Sequence, residues 1–324
     1  MPRTPLIVIG ASAGGVEAVM KLLPGLPADL PAAIAIVIHR LPIEDEPRLA
    51  RVLGKSAAFP VSEARHKEAL RPAHAYVAPP AFHLEIADDS LRLHAGPTEN
   101  GSRPAIDVLF RSAAESRGRT LVGVLLSGLL DDGTAGLAAV KAAGGFAIVQ
   151  EPTDALFGEM PQHALDSVAV DVVCPVAEIP AQIMRALEQA PLTIGVSQEE
   201  TKDAPSPFSC PDCAGVLWEI EKNGLLRYRC RTGHAYTPEA LAAHQDAAVE
   251  RAMWEAVRAL EERADMHDTL ARRLRRGKNI ATASRLERRA AEGRNRAAII
   301  LAAVYDLVAA GHANEESHEA GAGG

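Results

Sequence analysis

The chain has 324 residues, 48% of them hydrophobic, and a formal net charge of −8. That length holds one large domain and a smaller one, the acidic balance argues against a general nucleic-acid binder, and no apolar run approaches the ~20 residues that span a bilayer. Apolar residues 6–10 are too short for the core of a signal peptide and run straight into a glycine-rich turn, so the expectation is a cytoplasmic protein without membrane insertion.

Residues 5 to about 185 alternate strand and helix. Residues 6–10 read as a buried strand and 16–23 as its helix, 32–39 as a second strand, and 46–53 as a helix after a proline-flanked loop. Short strands follow at 74–78 and 83–86, and residues 91–94 offer a partner for a small antiparallel insertion. A helix at 106–116 leads to a strand at 121–126 and a helix at 136–143. A strand at 146–150, a short helix at 161–165, a strand at 168–173 and a closing helix at 179–187 complete the series. Strands separated by helices predict a doubly wound, mostly parallel α/β sheet with helices on both faces. Beyond it, residues 191–207 are polar, with prolines and an acidic pair, and read as a linker after a domain at 1–190. A small zinc-ribbon-like module is expected at 208–237 and a helical hairpin at 238–311, turning at Gly277. Its apolar seam is Met253, Val257, Leu260, Ala264 and Leu274 against Ala297, Ile300, Leu301, Val304 and Leu307. Residues 312–324 have the composition of a disordered tail, and no internal repeat is visible.

Three strands carry chemistry at their C-terminal ends, the edge of a parallel sheet where ligands bind. Ser12 lies in Gly10-Ala-Ser-Ala-Gly-Gly15, a strand-to-helix turn that exposes a hydroxyl and aims backbone N–H groups outward. Such a turn also suits nucleotide binding, but it lacks the G-x-G-x-x-G spacing and the Lys-Ser/Thr pair of a P-loop. His39 ends the second strand, where an imidazole can serve as general base. Asp131 and Asp132 follow the strand at 121–126; an Asp-Gly pair alone is turn chemistry, yet a carboxylate there fills the third role of a Ser-His-Asp triad, and spacing does not choose between the two. His74, His83 and His163 read as surface or core histidines, and Cys174 as a buried thiol.

These stretches, with His39-Arg-Leu-Pro42, His74-Ala-Tyr-Val-Ala-Pro79, Arg103-Pro-Ala-Ile-Asp-Val-Leu-Phe110, Ser127 to Gly133 and Phe157-Gly-Glu-Met-Pro161, resemble the catalytic domain of CheB-type chemotaxis protein-glutamate methylesterases over residues 5–185. The resemblance implies Ser12 as nucleophile, His39 as base, Asp132 as orienting carboxylate, and an oxyanion hole from the backbone amides of Ala13 and Leu129. It implies no catalytic cofactor, and glutamyl methyl esters on the cytoplasmic helices of chemoreceptors as substrate, with glutamine deamidation in some members. Ala13 stands where the family usually has Thr, and Leu130 where it usually has Gly. Without a receiver domain ahead of residue 1, another regulator protein is expected to control activity.

Cys210-x2-Cys213 and Cys230-x3-His234 are a spacing for a closed, four-ligand structural zinc. The basic run Arg272 to Lys278 reads as a solvated helix end rather than a nucleic-acid surface. The hairpin is a packing or partner surface and offers a route to a dimer. The alternative to an esterase is a non-enzymatic signalling scaffold acting through the zinc module and the hairpin.

Overall fold

The computed structural model describes residues 4–39, 48–189, 202–276 and 278–321. Its chain divides into two compact units, residues 1–242 and 243–324, the division falling within one helix.

The first unit is built around β1 (Leu6–Ala11), which is buried from end to end. Its side chains alternate, as the pleat requires: Ile7, Ile9 and Ala11 enter one core and Leu6 and Val8 the other. A strand covered on both faces reads as a continuous apolar run, and β2 (Ala33–Ile38) and β7 (Leu121–Leu125) share that character. The remaining strands of the large sheet are β3 (Val61–Glu63), β4 (His74–Val77), β8 (Phe146–Gln150) and β9 (Val172–Cys174). The seven are ordered β3-β4-β2-β1-β7-β8-β9 and every pairing is parallel. α1 (Gly15–Leu22), α2 (Arg48–Gly54) and α6 (Ile179–Gln189) contribute Val19, Leu22, Leu53, Ile179 and Ile183 to one core. α3 (Ile106–Arg117), α4 (Thr134–Ala142) and α5 (Glu159–Ser167) contribute Leu109, Phe110, Leu137, Val140, Met160 and Ala164 to the other. This is the expected doubly wound sheet, and the antiparallel insertion is β5 (His83–Ala87) paired with β6 (Ser90–His94).

Differences from the sequence expectation have local causes. The three residues of β3 are too few to show a pattern, and all are half-buried rather than alternating. The last parallel strand begins at Val172 rather than 168, because the Val168 amide closes α5 on Ala164 O. Residues 40–47 lie outside the described residues, including the start of the 46–53 helix and residues 40–42 of the His39 motif.

The expected linker is corrected in part. Residues 190–201 are outside the described set, but β10 (Lys202–Ser209) is a strand, joined to β11 (Val216–Lys222), β12 (Leu225–Cys230) and β13 (Ala235–Tyr236) in a four-stranded antiparallel sheet. Pro205 and Pro207 suggested a linker, yet β10 is an edge strand with a register shift between Pro205 and Ser209, and proline is tolerated at such places. Leu217, Tyr228, Tyr236 and Leu241 pack with Cys210 and Cys230 in a small core of their own. The module is not separate from the α/β sheet: both belong to the first unit. Thr237 caps α7 (Pro238–Arg276), its Oγ1 accepting the Ala240 amide at 3.2 Å.

The second unit consists of most of α7 and of α8 (Ile280–Gly321), antiparallel to each other: Arg275 pairs with Glu287, Arg294 with Asp265 and Asp268, and Trp254 stacks edge-on against Tyr305. Gly277 lies outside the described residues. The buried residues recur every seven positions, Val257, Ala264 and Ala271 against Ala283, Ala290, Ala297 and Val304, the repeat that favours a left-handed supercoil. Met253, Leu260, Leu274, Ile300 and Leu301 of the predicted seam are half-buried, whereas Leu307 is exposed. Alanine rather than the larger aliphatics fills the deepest positions because the helices approach closely: a Cβ on Gly293 would lie 3.4 Å from that of Ala264. Residues 312–321, expected as a disordered tail, continue α8; their Ala, Glu and His are compatible with a helix already nucleated upstream.

Candidate active site

β2, β1 and β7 are neighbours, so the loops leaving their C-terminal ends converge. Ser12 follows β1, His39 follows β2 and Asp132 follows β7. Gly14 takes a left-handed φ of 69° to turn the chain from β1 into α1. The turn is pinned to the β7 loop: the Ser12 amide donates to Ser127 O at 2.9 Å, and the Ser127 hydroxyl donates to Ala13 O at 2.7 Å. Gly128 leaves no room for a side chain, since a Cβ there would sit 2.9 Å from that of Ser12.

Ser12, His39 and Asp132 form one hydrogen-bonded chain. Ser12 Oγ lies 3.2 Å from His39 Nδ1, and His39 Nε2 lies 2.7 Å from Asp132 Oδ2. In the tautomer that donates to the carboxylate the proton sits on Nε2, and Nδ1 faces the hydroxyl as an acceptor. That is the reverse of the chymotrypsin-type arrangement, in which Nε2 faces the serine.

Asp132 is almost fully buried and accepts four hydrogen bonds. Oδ2 takes His39 Nε2–H and the Ile106 amide at 2.7 Å each; Oδ1 takes the Asp107 amide at 3.1 Å and Asn100 Nδ2–H at 3.0 Å. Ile106 and Asp107 open α3, so the carboxylate sits at a helix N-terminus, where negative charge is favoured. Burial works to raise its pKa, but the His39 contact, the Ile106 amide and Asn100 hold it below the ordinary carboxylate value. Asp107, wholly buried, is pushed up by burial and by Asp132 beside it, against the pull of Arg227 and Arg111. Its Oδ1 accepts the Gly133 and Gly136 amides at 3.1 and 2.6 Å, which fixes the β7–α4 loop to α3.

Asp131 points elsewhere: its Oδ1 accepts the Thr237 hydroxyl at 2.8 Å. Burial, aided by Asp107, Glu239 and Asp132, lifts its pKa to about 7. The folded value lies above the unfolded one, so the folded state holds the extra proton between pH ~4 and ~7 and stability falls as pH rises through that window. Asp131→Asn keeps the acceptor for Thr237 and removes the titration. Unfolding free energies from urea titrations are expected to match wild type near pH 4 and to exceed it at pH 8, by at most about 4 kcal/mol for a shift of ~3 units.

Ala13 follows Ser12 on the first loop and Leu129 follows Gly128 on the β7 loop, and among the described residues neither amide has an acceptor. The neighbouring Gly128 amide, by contrast, is bonded to Phe157 O at 2.9 Å. Leu130 has a left-handed φ of 57°, which accounts for the glycine usual there in the resembling family, since a side chain in that region costs about 1–2 kcal/mol.

His74, His83 and His163 make contacts outside the Ser12–His39–Asp132 series. His74 Nε2 is 2.8 Å from Ser62 Oγ; buried His83 donates to Pro97 O and accepts the Ala105 amide; His163 lies 3.8 Å from Glu159. Cys174 is buried and its thiol is pushed up to about 11 by burial.

Cys210, Cys213, Cys230 and His234 gather their ligand atoms within 4.8 Å of one another. Two tight turns present them: Cys210 N bonds Gly215 O, and Cys230 N bonds His234 O. Cys213 Sγ is 3.6 Å from Cys230 Sγ, and His234 Nδ1 is 3.6 and 3.5 Å from Cys210 and Cys230. A disulfide needs ~2.05 Å, whereas a zinc tetrahedron with bonds of ~2.3 and ~2.0 Å has edges in this range. The Gly215 amide draws the Cys213 thiol down to about 6, toward the thiolate a metal takes.

Several residues around the triad escaped the sequence reading. Asp107 lies within the motif at 103–110, which assigns it no role of its own. Ser127 opens the motif at 127–133, but its bonds to the Ser12 turn are not written in that pattern; Gln150, which accepts the Ser127 amide, and Asn100 carry no pattern of their own. Arg227 and Thr237 belong to a different module.

The family model for CheB methylesterases matches residues 7–183, over half of the chain and the stretch that carries all three side chains. The chain belongs to the CheB methylesterase family. A Geobacter metallireducens protein named protein-glutamate methylesterase/protein-glutamine glutaminase 1 is 37% identical over 187 residues, 56% of this chain and 51% of its own. A second such relative, numbered 2, from Anaeromyxobacter dehalogenans is 43% identical over 181 residues, 55% of this chain and 52% of its own. This CheB-family chain thus spans about half the length of those two relatives. The crystal structure of the Thermotoga maritima CheB methylesterase catalytic domain superposes with a TM-score of 0.54 at 31% identity, covering 56% of this chain and 97% of that one. The Cys/His module and the hairpin lie beyond the stretch matched to the CheB family. Among the described residues no helix is long and apolar enough to cross a membrane.

Proposed function

We propose that this chain is a protein-glutamate methylesterase that hydrolyses glutamyl methyl esters on a chemoreceptor-like signalling protein in the cytoplasm. The observation that carries the reading is the hydrogen-bonded series from Ser12 through His39 to Asp132. Ser12 Oγ attacks the ester carbonyl while His39 Nδ1 takes its proton; Asp132 holds the ring and stabilises its charge. The oxyanion rests on the Ala13 and Leu129 amides. His39 returns the proton to the departing methoxide, which leaves as methanol. Water, deprotonated by His39, then attacks the acyl-enzyme and frees the glutamate. The same steps on a glutamine side chain expel ammonia, the deamidation named in the relatives' titles. No cofactor enters this chemistry, and a regulator protein is the expected source of control. A fluorophosphonate probe should label Ser12, read by peptide mass, and a methylated receptor should release methanol; an intact fold that does neither would favour the scaffold reading.

Cys210, Cys213, Cys230 and His234 would hold one structural zinc, a closed site without an open position for catalysis. Purified protein should carry about one zinc per chain. Stripping it with a strong chelator should unfold β10 to β13, seen as lost amide protection there, since such binding is worth on the order of 10 kcal/mol.

A further inference from the structure

The two oxygens of Asp132 face different parts of the chain. Oδ2 addresses His39, and Oδ1 addresses Asn100. Behind Asn100 stands the Cys/His module. Asn100 N donates to Ala235 O at 2.8 Å, and Asn100 Oδ1 accepts the Thr237 amide at 3.0 Å. An amide side chain has two ends, and the Thr237 N–H demands the oxygen. The NH2 must then face Asp107 Oδ2, at 3.2 Å, and Asp132 Oδ1, at 3.0 Å. The orientation of the group that braces the triad carboxylate is therefore dictated from β13 and the start of α7.

Charge is supplied from the same module. Glu99, Asp107, Asp131 and Asp132 are four buried carboxyl groups in one region. Among the described residues two guanidinium groups reach them. Arg111 lies 2.6 Å from Glu99 and 3.8 Å from Asp107; Arg227, on β12, lies 2.8 Å from Glu99 and 3.6 Å from Asp107. Burial would raise Glu99, but the two arginines hold it at about 2. Unpaired buried charge is costly, so without Arg227 this carboxylate group repels itself and the strain falls on Asp107 and its neighbour Asp132.

We propose that Arg227 and Thr237 are positioning residues for the esterase triad, supplied by the Cys/His module: Thr237 fixes the orientation of Asn100 and Arg227 offsets the charge of Glu99 and Asp107, which together keep Asp132 aimed at His39. This rests on the methylesterase reading. It makes residues outside the family-matched stretch 7–183 part of the working site.

The test uses the full chain, a glutamyl γ-methyl ester peptide and the fluorophosphonate probe. In Arg227→Met, kcat and the probe's labelling rate at Ser12 are expected to fall at least tenfold, with KM within about twofold and zinc content and circular dichroism unchanged. Arg227→Lys is expected to recover most of the loss, which a purely packing role would not predict. Should Arg227→Met lose its zinc or its fold, Asn100→Ala serves instead, because it leaves the module's own residues intact and is expected to lower kcat to a similar extent. Wild-type rates in a folded Arg227→Met, or in Asn100→Ala, overturn the proposal. A wild-type chain that neither labels nor hydrolyses the ester removes the esterase reading itself, an outcome distinct from active wild type with indifferent variants.

Discussion

Ser12→Ala leaves a folded protein whose methyl-ester turnover falls by about 10⁴–10⁶-fold, the range seen when a serine nucleophile is deleted from a working triad. The expectation follows from what surrounds the hydroxyl. Its amide is bonded to Ser127 O and its carbonyl accepts the Gly15 amide, both through backbone atoms, so the turn survives loss of Oγ. A Cβ remains against Gly128 as before. Chemistry is removed and structure is kept, which makes methanol release from a methylated receptor a clean readout. Binding of the uncleaved ester should persist. Turnover within tenfold of wild type would mean that another group does the chemistry.

Asp132→Asn is the second large effect, about 10⁴-fold in kcat, and it acts through a proton on another residue. Oδ2 now accepts from both the Ile106 amide and His39 Nε2. The two α3 amides donate to different oxygens, Ile106 N to Oδ2 and Asp107 N to Oδ1, so the single oxygen of an asparagine satisfies only one of them. Its NH2 then faces either His39 or the Asn100 NH2. Turned toward His39, it compels Nε2 to accept, and the ring proton moves to Nδ1, the atom that must receive the Ser12 proton. The base is blocked while the ring stays in place. The change also removes one of two adjacent buried carboxylates, so Asp107 loses the repulsion that raises it. The orphaned α3 amide costs about 1–3 kcal/mol, offset by the relief at Asp107, so stability should change far less than activity, and paired measurements of unfolding free energy and kcat check this. Parallel losses of both would point to a structural role for Asp132 instead.

Much of this was legible in the chain because buried parallel strands write themselves as apolar runs. Leu6 to Ala11, Ala33 to Ile38 and Leu121 to Leu125 need no partner to be recognised, and the residue following each is then fixed to one edge of the sheet. Three side chains remote in sequence could be brought together by that alone, although Asp131 and Asp132 are separated only by the direction each takes from the loop. What could not be read was anything whose meaning lies across elements. Asn100 is an ordinary loop residue until Thr237 and Asp132 lie on either side of it. Arg227 looks like a strand charge until Glu99 and Asp107 face it. β10 carries the prolines of a linker and is a strand only because β11 pairs with it on one side.

β2 and β7 flank β1 on opposite sides. The bond between His39 and Asp132 is therefore a tie-bar across the C-terminal end of the central strand, the strand that Ser12 follows. Glycine recurs there, from Gly10 to Gly15, because neighbouring elements press on the backbone: a Cβ would lie 2.3 Å from Ile106 Cγ2 at Gly10, 2.8 Å from Ser127 Oγ at Gly14 and 2.5 Å from Ala11 Cβ at Gly15. A bulky residue at any of the three would press on α3, on the β7 loop or on β1 itself, so the packing that seats Ser12 also limits what this stretch can hold.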